Sequence, residues 1–521
     1  MSVAIDTFLG VGLLGAFLLQ LLRWLRVAQR EHYVASSLLR FLARWSVPNV
    51  TSSKMARFWR YRPITLGQVL VVLLVFTLTL DAQRWAALDA IAYGVFCPVG
   101  LSIKGRTSSL DWTRRLKTIA CVATVLGIII VGAGLLSPRV LIAPTALVIA
   151  VPLLITLSVT MLAPVEDRAA RKYVDQASER LRRVRPMVIA ITGSYGKTST
   201  KNHLASLLGT GEGVVASPRS FNNRAGLSRA INENLADGTR IFIAEMGTYG
   251  RGEIAALCSW CPPEIAVVTA IGPVHLERMK SLERIEQAKF EITTRARVVV
   301  LNIDDERLDG WIGKLVAQGK TVRTAGSTSM VASVLVNERE EQWHVVVEGN
   351  EVASMPRVAG VQASNVACAF AAALEAGRSV ESLVANLGAI EPVANRSNVV
   401  VAPSGVTVVD DTFNANPASA SVALSLLASL RLLGRNVVVT PGLIELGPLQ
   451  IGENRALASK VATFGAELVI VGRTNAKALG QGFIGTPRRF DTREQAVAWV
   501  RSALITGDGV LYLNDLPDHY P

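Results

Sequence analysis

The ten residues ITGSYGKTST, 191–200, have the composition of a phosphate-binding turn. Gly193, Ser194 and Gly196 are small enough for backbone N–H groups to turn toward phosphate oxygens. They lead into what reads as a helix start, where anions are favoured. Lys197 brings a positive charge for terminal phosphates, Thr198 a hydroxyl suited to Mg²⁺, and Ser199 a further hydroxyl in the same turn. The strict spacing G-x-x-x-x-G-K-[ST] is not met, because Ile191 stands five positions before Gly196. A helix-capping turn that binds no nucleotide is therefore the alternative at this point.

Three downstream residues extend the set. Glu245 closes the apolar run IFIAE and precedes Met246 and Gly247. That places it at the carboxyl end of a strand, where open α/β sheets bind ligands. His275 follows the next such run, in TAIGPVHLE, and Lys289 lies in the helix-like EQAKFEI near Glu286 and Glu291. Singly, these read as a surface glutamate, a hydrogen-bonded histidine and a solvated lysine. In this order behind a phosphate loop they form a constellation for phosphoryl transfer.

The elements that must position them are α/β in pattern. The runs VIAIT (188–192), IFIAE (241–245), EIAVVTAI (264–271) and VVVLNI (298–303) alternate with helix-like stretches near 197–208, 223–235 and 281–296. This predicts a parallel sheet wrapped by helices. Residues 331–357 alternate apolar and polar, as a small antiparallel excursion would, and an apolar helix follows near 362–376. A second α/β unit is expected from 396, with runs at 406–410, 436–440, 467–472 and 510–513.

The first third of the chain differs in kind. Half of the 521 residues are apolar and the mean hydropathy is +0.36, with the excess at the front. Residues 3–22, 64–80, 85–103, 118–136 and 139–162 approach the length needed to cross a hydrocarbon core of about 30 Å. Asp89, Cys97 and Pro98 weaken the third. No basic n-region precedes the first span, so it does not resemble a cleaved signal peptide.

The net charge of +13 belongs to this part. Residues 1–187 carry 23 Lys and Arg against 9 Asp and Glu, whereas the rest carry 31 against 32. Arg23, Arg26, Arg30, Arg40, Arg44, Lys54, Arg57, Arg60 and Arg62 fall in one loop, and Lys104, Arg106, Arg114, Arg115 and Lys117 in another. The short connections 81–84 and 137–139 carry one arginine each. Under the positive-inside rule, five spans put both basic loops, and everything after 163, in the cytoplasm. The expected location is thus the plasma membrane, multi-pass, with cytoplasmic catalytic domains and the bilayer as a partner; the basicity does not call for nucleic acid.

The expected organisation is a transmembrane region of about five helices (1–164), an amphipathic linker (165–187), a P-loop parallel-sheet ATPase domain (188–395) and a C-terminal Rossmann-like α/β domain (396–521). Cys258 and Cys261 form a CxxC with no second pair, short of a structural zinc site. They read as incidental cysteines before a Pro-Pro turn.

Seven ordered stretches resemble the Mur ligase family, the ATP-dependent amide ligases of peptidoglycan precursor synthesis. They are TGSYGKTST, SFNNRAGLS (220–228), AEMGTYGRGEI (244–254), VVTAIGPVHLE (267–277), SLERIEQAKFEI (281–292), DDTFNANPAS (410–419) and GLIELG (442–447). The likeness covers about 187–505 and is nearest to the branch that adds D-alanyl-D-alanine to a UDP-MurNAc-tripeptide. The resemblance implies that Gly193, Ser194, Gly196, Lys197, Thr198 and Ser199 bind ATP, with Arg396 and Asp411 holding the nucleotide from the second α/β domain. It implies two Mg²⁺ ions, one on Thr198 and Glu245 and one on His275 and a carbamylated Lys289. Asn222 and Asn223 match the substrate-side pair, and Asn414 and Asn416 shape the opposite loop.

The implied chemistry is acyl-phosphate formation followed by attack of an amino acid or dipeptide amine. This sequence departs from the family at Ala270, Ser364, Asn395 and the C-terminal VLYLNDLPDHYP. Membrane-like sequence also stands where the family holds its UDP-sugar. The expected acceptor of ATP's phosphate is the carboxylate of a peptidoglycan precursor, soluble or lipid-linked. The alternatives are a membrane amide ligase for another polymer, such as poly-γ-glutamate, or a nucleotide-binding regulator without ligase activity.

Overall fold

A computed structural model describes residues 2–46, 82–98, 101, 103, 110–209, 213–219, 221–392, 398–412, 415–430 and 432–515. It divides into two compact units, residues up to 169 and residues 170–515. The expected span 64–80, the loop residues Lys54, Arg57, Arg60, Arg62, Lys104 and Arg106, and the site residues Arg396 and Asn414 lie outside the described residues.

The first unit is helical: α1 (Ser2–Arg30), α2 (Ala35–Ser46), α3 (Gln83–Phe96), α4 (Arg114–Gly134) and the start of α5 (Ile142–Val184). Among the described residues, α1, α4 and α5 are long and apolar enough to cross a membrane. The expected span 85–103 is corrected. Its helix α3 has 14 residues, about 21 Å at 1.5 Å per residue, short of a hydrocarbon core. It ends before Pro98, whose ring cannot continue a helix.

The exposed end of α3 is finished from α1. Arg23 donates through Nη1 to the carbonyls of Gly94 and Cys97, each at 2.8 Å, and through Nη2 to that of Val95 at 2.7 Å. Gln20 adds a bond to Gly94 O at 3.2 Å. These bonds satisfy carbonyls that every helix leaves open at its last turn. At the opposite end Arg84 and Asp6 form a two-pronged pair at 2.7 and 3.2 Å. Between these ends Gly94 packs on Ala16, where a Cβ would lie 2.5 Å from the alanine methyl. Such small-on-small contact lets two helices approach closely. Gln20 also donates to Gly94 O and Cys97 O, so Arg23→Leu strands the Val95 carbonyl alone, and we expect it to destabilise this unit by about 1 kcal/mol. Thermal melts and limited proteolysis of the detergent-solubilised chain should register that loss.

Most of the linker expected at 165–187 is helical. α5 runs from Ile142 to Val184 without a break, with Pro164 inside it.

The second unit holds two sheets. In the first, β1 (Met187–Thr192), α6 (Lys197–Leu208), β2 (Val214–Ala216), α7 (Arg224–Asn234), β3 (Ile241–Glu245), β4 (Ile265–Val268), α8 (Leu282–Phe290), β5 (Val298–Asn302) and β6 (Thr321–Gly326) build a parallel array. β7 (Val334–Arg339), β8 (Gln342–Val347) and β9 (Asn350–Pro356) extend it, giving the order β2-β3-β1-β4-β5-β6-β7-β8-β9. β7, β8 and β9 pair antiparallel, as the alternation in 331–357 requires. β3, β4 and β5 are buried throughout, which accounts for their unbroken apolar runs. The apolar α9 (Ala363–Glu375) packs against α6 and strands β4, β5, β6 and β7.

In the second sheet β10 (Asn398–Val401) and β11 (Thr407–Asp411) are followed by α10 (Pro417–Ser429). Then come β12 (Asn436–Thr440), β13 (Glu467–Val471), β14 (Arg488–Phe490) and β15 (Gly509–Leu513), in the order β10-β11-β15-β12-β13-β14. All pairs but β10–β11 are parallel. Glu245 ends β3, Asp411 ends β11 and the phosphate loop follows β1.

Candidate active site

The phosphate loop leaves β1 at Thr192 and enters α6 at Lys197. Gly196, the N-cap, has φ +76°, and a Cβ there would lie 2.3 Å from Asn365 Oδ1. Glycine is required on both counts. Gly196→Ala should therefore destabilise the protein by about 1–3 kcal/mol. It should also weaken ADP binding, as a thermal melt paired with an ADP titration would show.

Neighbouring strands fix the loop's shape. Ser194 N donates to Ala270 O at 2.7 Å, Ser194 Oγ to Gly272 O at 3.1 Å, and Gly272 N to Ser194 Oγ at 2.9 Å. Because residue 270 contributes its carbonyl, the departure to alanine leaves this contact intact. Thr269 hydrogen-bonds Tyr195 O, and Asn302 holds Thr269 O at 2.9 Å. Lys197 curls over the loop, its Nζ 2.8 Å from Gly193 O and 3.4 Å from Ser194 O.

Glu245 is the hub beneath the loop. Its Oε2 accepts from Thr198 Oγ1 at 2.9 Å and from Lys201 Nζ at 3.3 Å, and its Oε1 from Asn222 Nδ2 at 3.0 Å. Ser217 Oγ receives its backbone N–H at 3.1 Å. Lys201 and Glu245 are each about 2% exposed at the side chain. A desolvated ion pair of this kind is strongly interacting. Burial lowers the Lys201 pKa while Glu245 pulls it back up.

Lys289, on α8, is 5% exposed. Burial drives its pKa well below the ordinary lysine value; Lys197 pushes the same way, against partial support from Glu253 and Glu245. The amine is thereby biased toward its neutral, nucleophilic form.

His275 goes elsewhere. Its Nδ1 lies 2.5 Å from Glu445 Oε2, and its ring stands edge-on to Tyr249 at 4.8 Å. Both His275 (φ +58°) and Glu445 (φ +62°) occupy the left-handed region, so the contact joins two backbone positions that resist most residues. Among the described residues no group of three or more His, Cys, Asp or Glu is arranged to hold a metal. A hydroxyl beside one carboxylate is nonetheless a hard oxygen set, of the kind Mg²⁺ uses together with phosphate and water.

The remaining expected residues are placed as follows. Asn222 joins the Glu245 cluster. Asn223 is the N-cap of α7, accepting from Gly226 N at 2.9 Å. Asn416 caps α10 in a box with Ser419. Asp411 ends β11 and is buried, lining a cavity with Gly196, Ser199, Asn365 and Asn416. Cys258 and Cys261 are free buried thiols, with burial pushing that of Cys258 up to about 12. Sequence reasoning missed Lys201, Tyr195, Thr269 and Glu445. Lys201 had a usable signal, its four-residue spacing from Lys197 on one helix face.

The Mur ligase middle-domain model matches residues 191–373, and the Mur ligase glutamate-ligase-domain model residues 395–513. Residues 191–513 belong to the Mur ligase family. Relatives named UDP-N-acetylmuramoyl-tripeptide–D-alanyl-D-alanine ligase include those of Mycobacterium tuberculosis and Bacillus subtilis. The first is 34% identical over 302 residues, covering 55% of this chain and 58% of the relative. The second is 31% identical over 287 residues, covering 54% and 60%. The chain thus spans little more than half the length of these relatives. A solved structure of MurF ligase from Thermotoga maritima in complex with ADP superimposes with TM-score 0.58 at 24% identity, covering 66% of this chain and 80% of that one; the likeness is one of fold.

Proposed function

We propose that the protein is a membrane-anchored, ATP-dependent, ADP-forming amide ligase. Its carboxylate substrate is a UDP-muramoyl-tripeptide or its lipid-linked counterpart, and D-alanyl-D-alanine is the amine. The observation that carries this reading is the Thr198–Glu245 pair, 2.9 Å apart under the phosphate loop, in a chain related to enzymes of that name. The apolar helices ahead of the family match support the anchoring.

In this reading a substrate carboxylate oxygen attacks the γ-phosphorus of ATP, and the bond to the leaving ADP oxygen breaks. The amine then attacks the acyl carbon and phosphate departs with the bonding pair. Backbone N–H groups at the start of α6 and the Lys197 ammonium hold phosphate oxygens and stabilise the charge on the transferring group. Thr198 and Glu245 would hold Mg²⁺, which supplies charge neutralisation when bound. Lys201 and Asn222 fix the Glu245 carboxylate in place. A neutral Lys289 amine can add CO₂, releasing one proton, to give a carbamate; this would serve the second Mg²⁺ together with His275. Glu445 bonds His275 through Nδ1, and a carboxylate on one ring nitrogen is how a histidine that would hold a metal through the other is oriented.

An ¹⁸O-labelled substrate carboxylate tests the route. One labelled oxygen should appear in the released phosphate for each amide formed. Unlabelled phosphate alongside amide product would rule out the acyl phosphate.

A further inference from the structure

His203 is among the buried polar side chains that the chemistry above does not use. His203 lies on α6 one turn beyond Ser199 and is 2% exposed. Neither ring nitrogen hydrogen-bonds a described residue, and neither is fully buried. A polar group placed so is met by water or by a ligand. Its neighbours are engaged with one another: Thr200 Oγ1 donates to Asn365 Oδ1 at 3.4 Å, and Asn365 Nδ2 to Gln362 Oε1 at 3.4 Å.

The ring borders the cavity that Gly196 and Ser199 line from the phosphate loop, Gln362 and Asn365 from the start of α9, and Asp411 and Asn416 from the second sheet. Burial alone takes the His203 pKa down to about 4. The imidazole is then neutral at physiological pH, with one nitrogen a donor and the other an acceptor. A neutral ring is no phosphate clamp, and its position argues the same. His203 stands six residues after Lys197, about 9 Å along the helix axis from the anion-binding end. What extends this far from phosphates held at that end is the rest of the nucleotide.

We infer that His203 hydrogen-bonds the nucleoside half of the bound nucleotide, at a ribose hydroxyl or a base edge, and so sets affinity for ATP over bare polyphosphate. This rests on the reading of the loop as an ATP site.

The test is calorimetric titration of the full-length, detergent-solubilised chain with ADP, 2′-deoxy-ADP and inorganic tripolyphosphate. His203→Phe keeps a ring and removes both nitrogens; His203→Leu replaces it should the phenylalanine variant not fold, as judged by its melt. The variant should bind ADP about tenfold more weakly, with tripolyphosphate binding unchanged. If the wild-type preference for ADP over its 2′-deoxy form vanishes in the variant, the partner is the ribose hydroxyl; if the loss is equal for both, it is the base. Wild-type protein that binds neither ADP nor tripolyphosphate removes the ATP-site reading and this inference with it. Wild-type protein that binds both, beside a variant that loses nothing or loses both equally, overturns the inference alone.

Discussion

Lys197→Ala is expected to lower ATP-dependent ligation by about a thousandfold, the scale on which removing one preorganised charge from a transition state acts. The fold should survive. Lys197 Nζ bonds carbonyls of its own loop, Gly193 O and Ser194 O, while the loop's shape is set by Ser194, Thr269 and Gly272. Single-turnover ADP formation measures the loss, and the melting temperature should stay near that of wild type. A variant that keeps full activity would show that the charge facing the phosphates comes from elsewhere. A secondary effect follows from the Lys289 environment. Lys197 is the second largest cause of its depressed pKa, so the variant should also leave Lys289 more readily protonated.

Lys289→Met is the second large effect, and it separates activity from stability. The amine sits in a 5% exposed position where burial and the Lys197 charge both oppose protonation. In CO₂-free buffer the unfolded chain binds the lysine proton up to the ordinary lysine range, whereas the folded chain releases it at lower pH. Between those two values the unfolded state holds more protons, so wild-type stability rises with pH. Methionine carries no proton, so the variant should lose that slope and melt no lower than wild type. Ligation should fall by about a hundredfold or more, as expected when a group that holds a metal in place is removed. Melts across pH 7 to about 9, paired with ligation assays, test both halves. A variant that loses stability and keeps activity would make Lys289 a packing residue.

Local pattern carried much of the second unit. The phosphate loop was legible because its parts are contiguous: a β-rich run, small residues, then Lys197 and Thr198 opening a helix. Glu245 was legible as the end of a run. Contacts between residues distant in sequence were not. His275 and Glu445 are 170 positions apart, and nothing in TAIGPVHLE points to GLIELG as the partner of its histidine. His203 was hidden for another reason. On a helix buried by α9, a histidine reads as one more core position until the cavity beside it is seen. Asn416 shows a local signal that could have been used further, since N-P-x-S is a helix-start pattern and the structure finds a capping box there. In the first unit hydropathy located apolar segments but not their ends. It ran through Cys97 and Pro98, where α3 stops and Arg23 completes the last turn.

The proposed activity couples ATP cleavage to an amide bond. The direct measurement is ADP release by the purified full-length chain, with Mg²⁺, given UDP-MurNAc-tripeptide and D-alanyl-D-alanine singly and together. Sustained ADP release is expected only with both substrates present, one ADP for each new peptide bond, and the tripeptide alone should give at most a single turnover. ADP release that ignores either substrate, or none with the soluble or the lipid-linked precursor, would contradict it.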